Sequence, residues 1–337
     1  MTRVPPRVYL IGVFISFVPI LIMCIASVTT PQTHIFNWEL AHDQFSYAAH
    51  AKGIFEKGNY FAYANPFDCR DDSPIIYSHL FPLLIGYLWK ITNLPIMFVY
   101  IPFRIIFGVL LTVSLWHFVS IFFKDKKVLN ISFLCLMIGG GISSWLGVVG
   151  FIIGKIKLSQ FFYYVNRFEG MAAWWFLNVF RNFFYAPETL YHFLFIITLV
   201  FVLKKYWRLS LLFLVLELYA HPFTGFELGL VYISYFFVSY FIEQDDRKNY
   251  LFFGLCALLL IFAFLFYNFI WLTKFPGHIS LMREWLEFKP TIHYRSFIIS
   301  YGIWLCFGLF AVLRYFKSII FDRSWRLLFI IMLVTFL

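Results

Sequence analysis

Charge is what this chain has least of. Only 13% of its 337 residues are Asp, Glu, Lys or Arg, about half the roughly 25% of an ordinary soluble domain, so a freely soluble globular fold is excluded. Cysteine is scarce as well, with five in all. Cys24, Cys135, Cys256 and Cys306 fall inside apolar runs and leave Cys69 alone in a polar stretch, which excludes a disulfide framework and every metal-binding spacing of cysteines. No small-x-small cleavage site follows the first apolar run, so that run reads as an uncleaved anchor rather than a signal peptide. The surplus of positive charge, +10, does not point to nucleic acid, because the Lys and Arg residues sit in short clusters between apolar runs. There they orient a chain in a bilayer.

What is present is grease and aromatic surface: 62% of residues are hydrophobic, 23% are aromatic, and the mean hydropathy is +0.80. These values describe a polytopic membrane protein. Residues 8–28 form a first run of sufficient length to cross about 30 Å of hydrocarbon, preceded by Arg3 and Arg7, which places the N-terminus inside. Residues 29–100 then form a long extracytoplasmic segment, with helices expected over 41–57 and 77–91. The second is short and interrupted by Pro82, so it is read as juxtamembrane rather than crossing. The next span, 100–123, closes on the basic cluster Lys124, Lys126 and Lys127, and alternation from there gives outer loops at 155–188 and 273–296 and about eight full spans. Under this topology 14 of the 27 Lys and Arg residues crowd into short inner loops, and ten of the 17 acids lie outside. The expected architecture is an all-α polytopic transmembrane bundle, one domain over 1–337, with extracytoplasmic juxtamembrane helices. The last apolar run ends at Leu337 after about 12 residues, too few to span, and reads as a truncated or partial helix.

The stretch most suited to chemistry is 38–60. Helical spacing puts Asp43, Tyr47, His50 and Ile54 on one face, with Gly58 as a stop. Asp43 in the first turn is favoured by the helix dipole; it is either an N-cap or an ionised base or metal ligand at the membrane surface. The acids Asp68, Asp71 and Asp72 form either a solvated turn or a second carboxylate group able to share a divalent metal ion with Asp43. Glu217 and His221, four apart, share a helix face. They either satisfy each other or line a cavity, since an intramembrane carboxylate points to function by default. The aromatic runs 161–164 and 174–175 fit an interfacial belt or a groove for an isoprenoid chain.

One anchor, a long first outer loop with Asp43 early in a juxtamembrane helix, a second short apolar helix over 78–90, and a span opening with Pro102 and Arg104 and closing on a basic turn: this layout over residues 1–127 resembles the GT-C superfamily of membrane glycosyltransferases. The protein O-mannosyltransferases and aminoarabinose transferases are nearest in layout. Gln44 stands where many members carry Glu, and Pro82 stands alone where many carry paired prolines. The resemblance implies a GT-C-like fold, a catalytic role for Asp43, a polyprenyl-phosphate sugar donor, and a lipid, glycan or protein acceptor on the outer side.

Such chemistry needs a base for the acceptor hydroxyl and cations for the departing phosphate. Besides Asp43, the candidates are His79, Arg104, Arg167 and Arg181, with Arg suited to bidentate phosphate contact. Arg104 is equally readable as a side chain snorkelling to the interface, and Arg167 and Arg181 as loop charges paired with Glu169 and Glu188. The rival function is a transporter or lipid-linked-sugar flippase, for which Gly139 to Gly141 and His221-Pro222 supply helix breaks, although no inverted repeat is visible. A noncatalytic assembly subunit is the third.

Overall fold

The computed structural model describes residues 3–29, 44–65, 73–138, 149–156, 185–287 and 294–336. Among these residues the fold is all-α. The helices are α1 (Pro6–Thr29), α2 (Gln44–Glu56), α3 (Leu80–Thr92), α4 (Ile96–Phe122), α5 (Lys126–Ile138), α6 (Ala186–Leu203), α7 (Trp207–Ala220), α8 (Pro222–Ile242), α9 (Arg247–Leu265), α10 (Pro276–Glu287), α11 (Tyr294–Phe321) and α12 (Arg323–Phe336). Among the described residues four stretches are long and apolar enough to cross a membrane: Phe98–Phe122, Ala186–Leu203, Pro222–Ile242 and Arg247–Lys274. Helix α7, with 14 residues, is about 21 Å long at 1.5 Å per residue, short of a hydrocarbon core, so the expected out-and-back pair over 209–242 has one full-length partner only.

The chain divides into two compact units. The first comprises Met1–Phe118, Phe183–Trp285 and Ile330–Leu337; the second comprises Val119–Asn182 and Leu286–Phe329. In the second, Trp325 meets the rings of Phe122 and Phe123 edge-on. The candidate chemistry lies in the first.

In the first unit α6, α7, α8 and α9 pack in sequence order, as short connections between antiparallel helices require. Helix α6 is the inner member, with most of its side chains buried, including Leu190, Leu194, Val200 and Thr198. Thr198 turns its hydroxyl back to Leu194 O at 2.7 Å, satisfying itself within its own helix. The α7–α8 junction is tight. His221 is extended (φ −144°) and caps α8, its ring accepting from Thr224 N at 3.3 Å, while Pro222 takes the first helical position, where its missing N–H costs nothing. Gly225 then brings α8 against the backbone of α7, since a Cβ there would stand 2.5 Å from Leu218 Cα and 2.7 Å from Leu218 N.

Helices α2 and α3 pair with each other, and α3 also packs on α7. Gly86 permits the close approach, because a Cβ would fall 3.0 Å from Ala51 O and 2.8 Å from the Phe55 ring. Ala51, Ile54, Phe81 and Ile85 are fully buried there, each large apolar side chain contributing about 1.5–3 kcal/mol. Gly58 ends α2 as expected. A side chain would collide with Ala62 O at 2.2 Å, and the Asn59 side chain accepts from Phe61 N and Ala62 N at 3.2 and 2.8 Å to close the turn.

The expected helix over 77–91 starts later, at Leu80. Tyr77 instead pairs its backbone with Tyr63, N–H to O in both directions at 2.9 and 3.1 Å, so Tyr77 to His79 are held extended and helical hydrogen bonding begins only beyond them. At its other end α3 stops on Asn93 in the left-handed region (φ 51°), whose N–H reaches Trp89 O. The expected loop over 273–296 holds α10, where Pro276 opens a new helix after the π-helical turn Phe266–Trp271 that ends α9.

Candidate functional site

Where the α2–α3 pair meets the α6, α7 and α8 ends, aromatic and imidazole side chains gather. The face expected on α2 is the one that turns inward: Ile54 is sealed, Tyr47 meets Phe81 edge-on, and His50 stacks on Tyr63 with ring centroids 4.6 Å apart. The fourth member of that face, Asp43, directly precedes α2 and lies outside the described residues. So do Arg167, Arg181, Asp68, Asp71 and Asp72.

Tyr63 is the hub. Its ring is nearly inaccessible, it is fixed at the bridge to Tyr77, and its hydroxyl lies 2.5 Å from His79 Nδ1. Burial, then the phenols of Tyr47, Tyr267, Tyr219 and Tyr77, hold the Tyr63 hydroxyl well above its ordinary value. The phenol therefore stays protonated, and donating to His79 Nδ1 it would pair with the tautomer that carries its proton on Nε2. Burial lowers His79 to about 4, and burial with His79 as neighbour lowers His50 to about 3. Both imidazoles are neutral near pH 7. The cationic role expected of His79 is thus replaced by that of a neutral N–H donor.

A second layer comes from the bundle. Tyr191 of α6 donates to the Tyr47 hydroxyl at 3.2 Å and stacks on His221 with centroids 4.5 Å apart. His221 directs Nδ1 to the Thr224 hydroxyl at 2.6 Å. Of the two alternatives for Glu217 and His221, mutual satisfaction is not seen: their bond is between backbones, His221 N to Glu217 O at 2.9 Å, and neither carboxylate oxygen of the fully buried Glu217 has a hydrogen-bond partner. One turn into α6, His192 Nδ1 lies 2.9 Å from Glu188 O and 3.8 Å from its carboxylate.

The rim is built by residues that no motif marks. Ser78 donates to Phe61 O at 2.9 Å and accepts from the Tyr219 hydroxyl at 2.5 Å. Tyr77 reaches His278 Nδ1 at 3.1 Å, and Tyr267 donates to Ile76 O at 2.5 Å. Sequence reasoning singled out His50, His79, Glu217 and His221 from this group and passed over Tyr63, Tyr77, Ser78, Tyr191, Tyr219 and His278. A single tyrosine in a chain with 21 of them carries no signal of its own.

Arg104 is buried in α4, with 1% of its surface exposed, so it does not snorkel outward. Among the described residues no group of three His, Cys, Asp or Glu is placed to hold a metal ion. The divalent ion considered for Asp43 with Asp68, Asp71 and Asp72 falls on residues outside the description.

The site so assembled is rich in aromatic faces and in neutral donors and acceptors. Such groups recognise hydroxyls and apolar ring faces at little desolvation cost compared with fixed charges. No family model, curated protein or solved structure matches this chain.

Proposed function

We propose that this chain is an integral membrane glycosyltransferase of the GT-C type, moving a sugar from a polyprenyl-phosphate donor to an acceptor hydroxyl on the extracytoplasmic face. The observation that carries the reading is the neutral imidazole and phenol cluster around Tyr63, His79, His50 and Tyr191, packed at the end of an apolar bundle and following Asp43 in the chain. A sugar offers hydroxyls for those donors and acceptors and an apolar face for those rings.

In this reading Asp43 accepts the proton of the incoming hydroxyl or positions a divalent ion, and Arg104 with one of Arg167 or Arg181 neutralises the departing phosphate. His79 contributes its Nε2–H to a sugar oxygen. Attack and departure use opposite faces of the sugar carbon, so one displacement with inversion follows, with no separate nucleophile. Purified protein incubated with a panel of polyprenyl-phosphate sugars should turn over at least one donor, and Asp43→Asn should reduce that rate by roughly 10² to 10⁴. An Asp43→Asn protein that folds and transfers at the original rate would remove the base from the mechanism.

The transporter or flippase reading draws on a different observation, the buried and unpartnered Glu217 beside the helix break at His221-Pro222. Complete inactivity on the donor panel together with saturable uptake into proteoliposomes would select it.

A further inference from the structure

Glu217 is the one described acid that is both fully buried and lacking any hydrogen-bond partner for either carboxylate oxygen. Its surroundings make this more than a packing accident. Helices α6, α7 and α8 bring one carboxylate each to the same end of the bundle: Glu188 from the first turn of α6, Glu217 from the last turn of α7, and Glu227 from the second turn of α8. Glu188 and Glu227 lie within electrostatic reach of Glu217, and both oppose its charge.

The other titratable groups around Glu217 can be named element by element among the described residues. From α6 they are Glu188, Tyr191 and His192, with the Tyr191 hydroxyl in electrostatic reach of both Glu188 and Glu217. From α7 and its cap they are Tyr219 and His221, and from α8 Glu227. Helix α3, which also packs on α7, presents His79 at its start. The half of α9 at this end, residues 257–265, carries no titratable side chain. Helix α4, whose Tyr100, Phe103 and Phe107 share a core with Leu216 and Ala220, carries the buried cation Arg104.

An isolated carboxylate sealed from water costs several kcal/mol, and two like charges nearby raise that cost. A single positive charge at Glu217 neutralises that carboxylate and removes the cost. The place is also mechanically distinctive: α7 ends four residues on, at the extended His221, and Gly225 holds the α8 backbone directly against Leu218 and Glu217. An electrostatic change at Glu217 is therefore felt at the connection between two helices.

We propose that Glu217, with Glu188 and Glu227 around it, is an exchangeable site for a single positive charge, a proton or a small monovalent cation. The proposal stands independently of glycosyl transfer. Occupancy of the site neutralises Glu217 and holds the α7–α8 junction in the arrangement described; loss of the charge leaves an ionised carboxylate sealed at that junction.

Dicyclohexylcarbodiimide, which modifies protonated carboxyls in apolar surroundings, tests this on the unaltered full chain in detergent, with the adduct located by peptide mass spectrometry. An adduct on Glu217 is expected. For a proton site its formation falls about tenfold for each pH unit on the alkaline side and ignores sodium chloride. For a monovalent-cation site it is suppressed saturably by sodium chloride at fixed pH, but not by choline chloride at equal ionic strength. Either pattern supports the proposal and identifies the ion. Failure to form an adduct on Glu217, or an adduct indifferent to both pH and sodium, overturns it. Glu217→Gln should abolish the adduct at that position; because the decisive measurement uses the wild-type chain, poor folding of the variant does not blunt the test. Activity on polyprenyl-phosphate sugars moves neither readout, so the two readings fail separately.

Discussion

Acidification should release the α2–α3 pair from the bundle before the bundle itself melts, and the size of the effect follows from two histidines. Folded His79 is held at about 4 and folded His50 at about 3, against an ordinary value of 6.5. Because both are depressed, the detached state binds protons more readily than the packed one. Their contribution is complete above pH 6.5, is lost as pH falls through 6.5 toward 4 and 3, and then levels off. At about pH 5 each group is 1.5 units below its free value, and at ~1.4 kcal/mol per unit the loss is about 2 kcal/mol each. Neither imidazole is wholly sealed, so solvent screening reduces this to about 1 kcal/mol each, and about 2 kcal/mol together corresponds to roughly a 30-fold rise in the open population.

Hydrogen–deuterium exchange in detergent reads that population directly once intrinsic exchange rates at the two pH values are corrected for. Peptides from 44–56 and 80–92 should lose protection between about pH 7 and pH 5 by that factor, while peptides from 190–203 keep theirs. His50→Asn with His79→Asn should flatten the response. Equal protection of 44–56 at both pH values, or an undiminished response in the double variant, would refute the assignment of the effect to these two rings.

Two glycines make a paired prediction. Gly225→Ala drives a methyl into the backbone of Leu218, whereas Gly229→Ala meets side-chain atoms alone, Cδ1 and Cγ1 of Ile261 at 2.2 and 2.8 Å, which can rotate away; thermal unfolding should show a loss of about 3 kcal/mol for the first and about 1 kcal/mol for the second. Tyr63→Phe removes the donor to His79 Nδ1 and should cost about 1–3 kcal/mol of unfolding free energy, with the exchange of 80–92 affected first. Lys90, whose Nζ lies 4.7 and 4.4 Å from the ring centres of Phe55 and Tyr60, ties the far end of α3 to the α2 turn, so Lys90→Met should cost about 0.5–1 kcal/mol, measured in the same melt.

The sequence by itself determined the helical, membrane-compatible character of this chain, because composition and the length of apolar runs are properties of local stretches. It located α2 and its stop, since 3.6-residue spacing and the steric freedom of Gly58 act within a few residues, and it put Tyr47, His50 and Ile54 on one face. It also marked His221-Pro222 as a break. Tertiary structure decided where α3 begins, because Tyr77 is drawn out of the helix by a backbone pair with Tyr63, 14 residues earlier. It decided that His79 and His50 are neutral, since charge state depends on what encloses a ring and not on the ring. It paired His221 with Thr224 across the turn and left the Glu217 carboxylate without a hydrogen-bond partner. Most of all it assembled the cluster of residues 47, 63, 79, 191, 219 and 278, which no periodicity links: separations of more than a hundred residues are closed only by the packing of α3, α6, α7 and α8, and packing is settled by the whole set of apolar faces at once.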